Sequence, residues 1–176
     1  MQIQPTTVNG VLRVEVDAIA DERGLFARTF DADAFARAEM PTTWPQCNTS
    51  WNAKRGTLRG MHFQKMPRPE PKLVRCTRGR IFDVAVDLRP TSHTFCRWTG
   101  VELSHDRRNA LYVPPGCAHG FLTLEDDCEV LYMMGEVYVP DLASGVRWND
   151  PAFAIKWPFD PIVVSQRDAN YPSFRS

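Results

Sequence analysis

The clearest alternation of apolar and polar positions in the chain runs over residues 81–89. Phe82, Val84, Val86 and Leu88 fall on one parity, and Ile81, Asp83, Ala85, Asp87 and Arg89 on the other. Successive strand side chains point to opposite faces, so this stretch predicts a strand with an apolar face and an acidic one. A sheet with its core on one side and a polar surface or cavity on the other is the expected setting. Shorter apolar runs at 11–16, 25–30, 44–51, 72–77, 99–103, 110–113, 120–123 and 129–139 read as further strands. Turn sequences separate several of them: Asp21-Glu22-Arg23-Gly24, Lys54-Arg55-Gly56 and Arg78-Gly79. Only one helix is predicted, capped by Asp31 and stopped at Met40 by Pro41. Pro67, Pro69 and Pro71 exclude regular structure between two strands. The Pro-rich tail from Asp150 is predicted to wrap over the rest. Many short strands with almost no helix predict an all-β sandwich or closed barrel, with residues 1–176 as one domain.

Composition narrows the function classes. The 21 Lys and Arg balance the 21 Asp and Glu, and no basic run stands out, which argues against a nucleic-acid binder. Cysteines at 47, 76, 96, 117 and 128 are odd in number and form no C-x-x-C pair. That pattern suits reduced thiols in a cytoplasm better than a disulfide framework or a zinc site. The N-terminus lacks a basic segment followed by an apolar one, and no apolar run approaches the roughly 18 residues of a membrane span. A soluble cytoplasmic protein with no membrane partner is expected.

Candidate chemistry centres on Arg59-Gly60-Met61-His62-Phe63-Gln64. Strand parity puts Gly60, His62 and Gln64 on one face and Arg59, Met61 and Phe63 on the other. Gly60 beside an inward His62 suggests a bulge or a close backbone approach, devices that re-aim side chains. Histidine, with an ordinary pKa of about 6.5, is the side chain suited to proton transfer near neutral pH; the alternative is a histidine satisfied inside a β core. Lys72, opening the next strand, can stabilise an oxyanion or simply sit solvated at a strand end. Tyr132 and Tyr138 share a face if their strand is unbroken, as proton donors or as filling. Asp168 can orient His62 through a charge-assisted hydrogen bond. Arg23, Arg28, Arg59 and Arg75 are candidate clamps for a phosphorylated ligand.

Pro114-Pro115-Gly116-Cys117-Ala118-His119 resembles the second motif of the cupin superfamily, P-x-G-x-x-H, whose histidine is often a metal ligand. Metal-binding cupins also carry H-x-H in their first motif, and here Gly60 stands where the other histidine would be. No catalytic metal is therefore expected. His119 is left as a ligand contact or a hydrogen-bonded turn residue.

From about Gly10 to Pro172 the chain resembles the dTDP-4-dehydrorhamnose 3,5-epimerase family, metal-free cupins. The blocks that carry the resemblance include Asp21-Glu22-Arg23-Gly24, Gln46-x-Asn48, Gly56 to Gln64, Lys72-Leu73-Val74-Arg75, Asp83 to Arg89, Pro114 to Phe121, Leu131-Tyr132, Tyr138-x-Pro140 and Ser165-x-Arg167-Asp168. The resemblance implies a cupin-type jelly roll, a homodimer, no cofactor, and a nucleotide-linked 4-keto-6-deoxyhexose as substrate. It implies that His62 is the general base, paired with Asp168, that Tyr132 is the proton donor on the other sugar face, and that Lys72 holds the C4 oxygen as it becomes an enolate. It places Arg23, Phe26, Gln46, Asn48, Arg59, His119, Tyr138 and Arg167 in substrate binding, part of the set coming from a partner subunit. Arg28 and Ala143 depart from it, since the family usually has Glu at both, so the nucleotide preference is expected to change. Arg167 stands where Lys is usual. A 3,4-ketoisomerase of a similar sugar nucleotide and a non-catalytic sugar-nucleotide-binding cupin are the competing readings. Tyr132 opposite His62 favours the epimerase over the ketoisomerase, and retention of His62, Asp168, Lys72 and Tyr132 together argues against the non-catalytic binder.

Overall fold

The computed structural model describes residues 1–175. In chain order the strands are β1 (Gln2–Pro5), β2 (Leu12–Glu15), β3 (Ala18–Asp21), β4 (Gly24–Ala27), β5 (Gln46–Asn52), β6 (Thr57–Gln64) and β7 (Lys72–Arg78), followed by β8 (Arg80–Asp87), β9 (Trp98–Ser104), β10 (Ala110–Val113), β11 (Cys117–Thr123), β12 (Cys128–Met134), β13 (Ala143–Gly145) and β14 (Val163–Val164). Helix α1 (Ala32–Arg37) lies between β4 and β5, and α2 (Gln166–Ala169) follows β14. One sheet runs β1-β2-β10-β7-β12-β5, and the second runs β13-β6-β11-β8-β9 with β14 also on β6. From β5 onward the chain crosses from sheet to sheet, pairing β5 with β12, β6 with β11, β7 with β10 and β8 with β9. That nesting is the jelly roll expected for an all-β cupin.

The main core lies between the sheets and includes Val74, Ile81, Ala85, Leu111, Phe121 and Val130. The second sheet is also covered on its outer side. Phe82, Val84, Val86 and Leu88 pack there with Met61, Val146, Phe153, Trp157 and Phe174. The predicted tail wrap is therefore present, and it changes the expected character of β8. The parity carrying Asp83 and Asp87 is no polar surface: Ile81 and Ala85 on it are core, and both carboxylates are fully buried. Asp87 survives burial through partners, and Asp83 has a partner, His119, on one oxygen only. Asp87 accepts from the Arg89 guanidinium at 2.8 Å and from the Thr94 hydroxyl at 2.7 Å.

Other expectations shift at the ends of elements. Asp31 does cap α1, accepting from the Ala34 amide at 3.0 Å. The strand expected over 25–30 ends at Ala27, and with β3 it forms a separate hairpin whose side chains are largely exposed. The strand expected over 129–139 ends at Met134. A Cβ at the next residue, Gly135, would lie 2.5 Å from the Pro71 ring, so the chain turns there against the proline segment. The helix α2 was not anticipated. All five cysteines are free. Among the described residues no helix is long and apolar enough to cross a membrane, and no group of three or more His, Cys, Asp or Glu is placed to hold a metal ion.

Candidate active site

At one end of the roll the sheets part around a cavity of about 300 Å³. The first sheet contributes Asn48 and Ser50 from β5, Lys72 from β7, and Tyr132 and Met134 from β12. The second contributes Arg59, His62 and Phe63 from β6 and His119 and Phe121 from β11. Tyr138, Ala143, Ser144 and Arg167 close the rim.

The strict alternation expected for β6 does not hold. Arg59 pairs with Phe121 and His62 with His119, so β6 advances three residues where β11 advances two. This one-residue bulge brings Arg59 and His62 onto the same face, whereas unbroken parity would separate them. Gly60 permits it. Its φ is +143°, and a Cβ there would sit 2.6 Å from the Gly120 Cα. Met61 is turned to the outer core instead.

His62 keeps 38% side-chain exposure, while the carboxylate behind it, Asp168, keeps 5%. The two are 2.7 Å apart, His62 Nε2 to Asp168 Oδ1. An ionised carboxylate only accepts, so Nε2 carries the proton and Nδ1 is the basic nitrogen. Burial would raise the Asp168 pKa, but the hydrogen bond and charge of His62, with the Gly60 amide at 3.2 Å, hold it below its ordinary value. The tail delivers this aspartate by a local device. β14 pairs in parallel with the start of β6, and Ser165 then caps α2, accepting from the Asp168 amide at 3.1 Å.

Tyr132 faces these groups from the opposite sheet. Its ring packs edge-on to His119, with centroids 6.2 Å apart, and its hydroxyl is 3.0 Å from Ser50 Oγ. Burial pushes the phenol pKa well above its ordinary value, with the Ser50 hydrogen bond opposing, so Tyr132 holds its proton across the physiological range. Lys72 is 7% exposed and spans the gap between sheets, donating to the His62 carbonyl at 3.1 Å and pairing with Glu70 at 3.0 Å. His119 Nε2 lies 2.8 Å from Asp83 Oδ1, and burial raises the pKa of that carboxyl while His119 pulls it down. Arg59 donates to Asn52 Oδ1 at 2.7 Å.

Tyr138 reaches the cavity although it lies beyond the end of β12, so shared strand parity is not what unites it with Tyr132. Instead its amide donates to Gln46 Oε1, and the Val139 amide to Gln64 Oε1, both at 2.8 Å. Gln46 thus fixes the rim and does not line the cavity. Arg23 and Phe26 lie elsewhere, on the β3–β4 hairpin: Arg23 pairs with Asp21, and Phe26 is 71% exposed. Arg28 pairs with Asp31. Arg75 turns to the outer side of its sheet and donates to the Thr29 carbonyl at 2.9 Å, with burial lowering its pKa to about 10. Of the four candidate arginine clamps, Arg59 alone lines this cavity. Sequence reasoning missed Ser50, Asn52 and Glu70. Gln46, Asn48, Ser50 and Asn52 form a polar series at every second residue, and Glu70 precedes Lys72 by two; both signals were there to read.

Known proteins agree with this architecture. The family profile described as dTDP-4-dehydrorhamnose 3,5-epimerase matches residues 5–176. A dTDP-4-dehydrorhamnose 3,5-epimerase of Methanothermobacter thermautotrophicus is 43% identical over 173 residues, 97% of this chain and 92% of the relative. A dTDP-4-dehydrorhamnose 3-epimerase of Streptomyces niveus is 37% identical over 169 residues, 96% of this chain and 81% of the relative. The crystal structure of the Bacillus anthracis dTDP-4-dehydrorhamnose 3,5-epimerase, with TDP and PPi bound, superposes with a TM-score of 0.94 at 38% identity, covering 98% of this chain and 99% of that one. With the jelly roll, the facing histidine and tyrosine and a match over nearly the whole length, the chain belongs to the dTDP-4-dehydrorhamnose 3,5-epimerase family.

Proposed function

We propose that this protein epimerises a dTDP-linked 4-keto-6-deoxyhexose at C3, C5 or both, in deoxysugar biosynthesis, with His62 as base, Lys72 as enolate stabiliser and Tyr132 as acid. The observation that carries the reading is the opposition of His62–Asp168 on one sheet to Tyr132 on the other, across a cavity that also holds Lys72. A proton alpha to a ketone leaves only if a base, charge stabilisation at the oxygen and a return proton are all in place. His62 Nδ1 takes the proton from carbon, and Asp168 stabilises the imidazolium that forms. Lys72 donates to the C4 oxygen as the electron pair moves onto it. Tyr132, still protonated, returns a proton to the opposite side of the carbon, and the centre is inverted. The 3,4-ketoisomerase alternative does not need this opposed donor.

For the nucleotide end, Arg59 and His119 contact the diphosphate and Asn48 and Arg167 flank it, while Tyr138 packs beside the sugar. Arg23 and Phe26 serve the cavity of a second copy in a homodimer. Their exposure on a hairpin away from their own cavity supports this placement, as do the exposed apolar side chains of Ile19 and Phe26 beside it.

The test is incubation with dTDP-4-keto-6-deoxyglucose in D2O, followed by NMR. Deuterium should enter C3, C5 or both with inversion, and His62→Ala should abolish uptake at every position while leaving the thermal unfolding cooperative. A ketone found at C3 in the product would identify a ketoisomerase instead, and normal uptake by His62→Ala would end the proposed mechanism.

A further inference from the structure

Glu70 lines the cavity with a side chain only 8% exposed, and one of its oxygens is spoken for by Lys72 at 3.0 Å. The other, Oε2, is buried and has no hydrogen-bond partner among the described residues. A carboxylate oxygen left in that state is costly unless something donates to it. Lys72 does not donate to it, although its ammonium has three donors. One goes to Glu70 and one to the His62 carbonyl, and the third is free for the ligand. From this we infer that Glu70 is a specificity-determining residue: its free oxygen accepts the hydrogen bond of the substrate's C3 hydroxyl while its bound oxygen anchors Lys72. The inference rests on the epimerase reading above.

The choice of hydroxyl follows from the ligand's chemistry. If Lys72 gives its third donor to the C4 oxygen, Glu70 stands one hydrogen bond away from that donor. It therefore meets a substituent on a carbon next to C4. In a 4-keto-6-deoxyhexose, C5 carries a methyl group and the ring oxygen, neither of which can donate. C3 carries the only hydroxyl vicinal to the ketone. The last torsion of a glutamate is broad; both oxygens move together about it, so a small rotation presents Oε2 to that hydroxyl with Oε1 still within reach of the ammonium.

The experiment compares dTDP-4-keto-6-deoxyglucose with its 3-deoxy counterpart, which keeps the ketone and loses the hydroxyl. Deuterium uptake at C3 or C5 in D2O is measured for the parent protein and for Glu70→Gln. A hydrogen bond to a charged acceptor corresponds to about 10- to 100-fold in kcat/KM, and the parent should favour the hydroxylated substrate by that factor. Glu70→Gln should cut the preference to a few-fold, mainly by raising KM for the hydroxylated substrate. Its loss of the Lys72 anchor should lower kcat for both substrates alike. A variant that keeps the parent's preference overturns the inference. The parent alone supplies a second measurement that needs no variant to fold: equal kcat/KM for the two substrates also overturns it. No deuterium uptake from either substrate would instead sink the epimerase reading and this inference with it.

Discussion

Tyr132→Phe removes a single oxygen and leaves the ring where it is, so it separates a chemical role from a packing role. The structural cost can be bounded. The ring sits among His119, Phe121 and the main core, and all of those contacts persist in Phe. The hydroxyl makes one hydrogen bond, to Ser50 at 3.0 Å. Losing it should cost about 0.5–1.5 kcal/mol, since Ser50 can turn its own hydroxyl toward the open cavity. For a chain of this size that is a fall in Tm of about 1–6 °C. The chemical cost, if the phenol is the acid that completes inversion, is larger. Loss of a positioned general acid typically costs about 10²–10⁴-fold, or roughly 3–5 kcal/mol at 1.36 kcal/mol per decade. The assay is NMR in D2O with separate integration of the retained and inverted products. In the proposed mechanism His62, on the other sheet, still removes the proton, and Lys72 still holds the enolate oxygen. Deuterium should therefore enter with retained configuration at a rate within about tenfold of the parent, while inverted product falls by about 10²–10⁴. Inverted product formed at the parent rate would show that the donor lies elsewhere and that Tyr132 is filling.

Two further outcomes follow from the buried carboxylates. Asp168→Asn should lower kcat by about 10- to 100-fold, less than His62→Ala, because a charged hydrogen bond to the base is lost while the base remains; steady-state rates on the same substrate check this, and an undiminished kcat would show that Asp168 does not support His62. Asp87 is penalised by burial, yet hydrogen bonds from Arg89, Ser92 and Thr94 win and depress its pKa far below the ordinary carboxylate range. A depressed native pKa stabilises the fold above the unfolded value of about 3.9, and that stability is lost as pH falls through the native value. Asp87→Asn should thus destabilise by about 3–5 kcal/mol at pH 7, leaving Arg89 without its carboxylate partner, and thermal unfolding should show the gap from the parent narrowing progressively from about pH 4 downward; a gap already closed at pH 5 would contradict this.

How much of the fold was legible depends on what each signal needs. The 81–89 alternation places β8 and the correct faces of Phe82 and Asp83, because strand parity is local. Parity does not say what lies beyond the face. Phe82, Val84 and Val86 meet Phe153 and Trp157, some seventy residues later in the chain, so burial on both faces could be read only with the tail in place. The end of β12 depended on Gly135 meeting Pro71, again a distant partner. Exposed hairpin residues such as Phe26 give no local sign of what they contact, and α2, a single turn, carries too few residues for a periodic signal.

The site shows the same division, and it explains why His62 alone was ambiguous. A histidine on a strand is read as core or as base according to what stands behind it and what stands opposite. Behind it is Asp168, brought by β14 and a Ser165 cap; opposite is Tyr132, brought by the nesting of β12 into the other sheet. Neither neighbour is encoded near residue 62. What is encoded there is Gly60, and its effect was only half visible. Glycine beside His62 pointed to a bulge, but only the pairing of Arg59 with Phe121 reveals that the bulge reverses Arg59's side. That reversal has a functional consequence. Without it the β6 cation would face the outer core beside Met61, and the cavity would hold a base and an acid with one fewer positive charge for a diphosphate. The bulge is therefore what lets one short strand place both His62 and Arg59, the proposed base and anion-binding group, in the cavity, and Gly60 and Gly120, in backbone contact, are the residues that make it sterically possible.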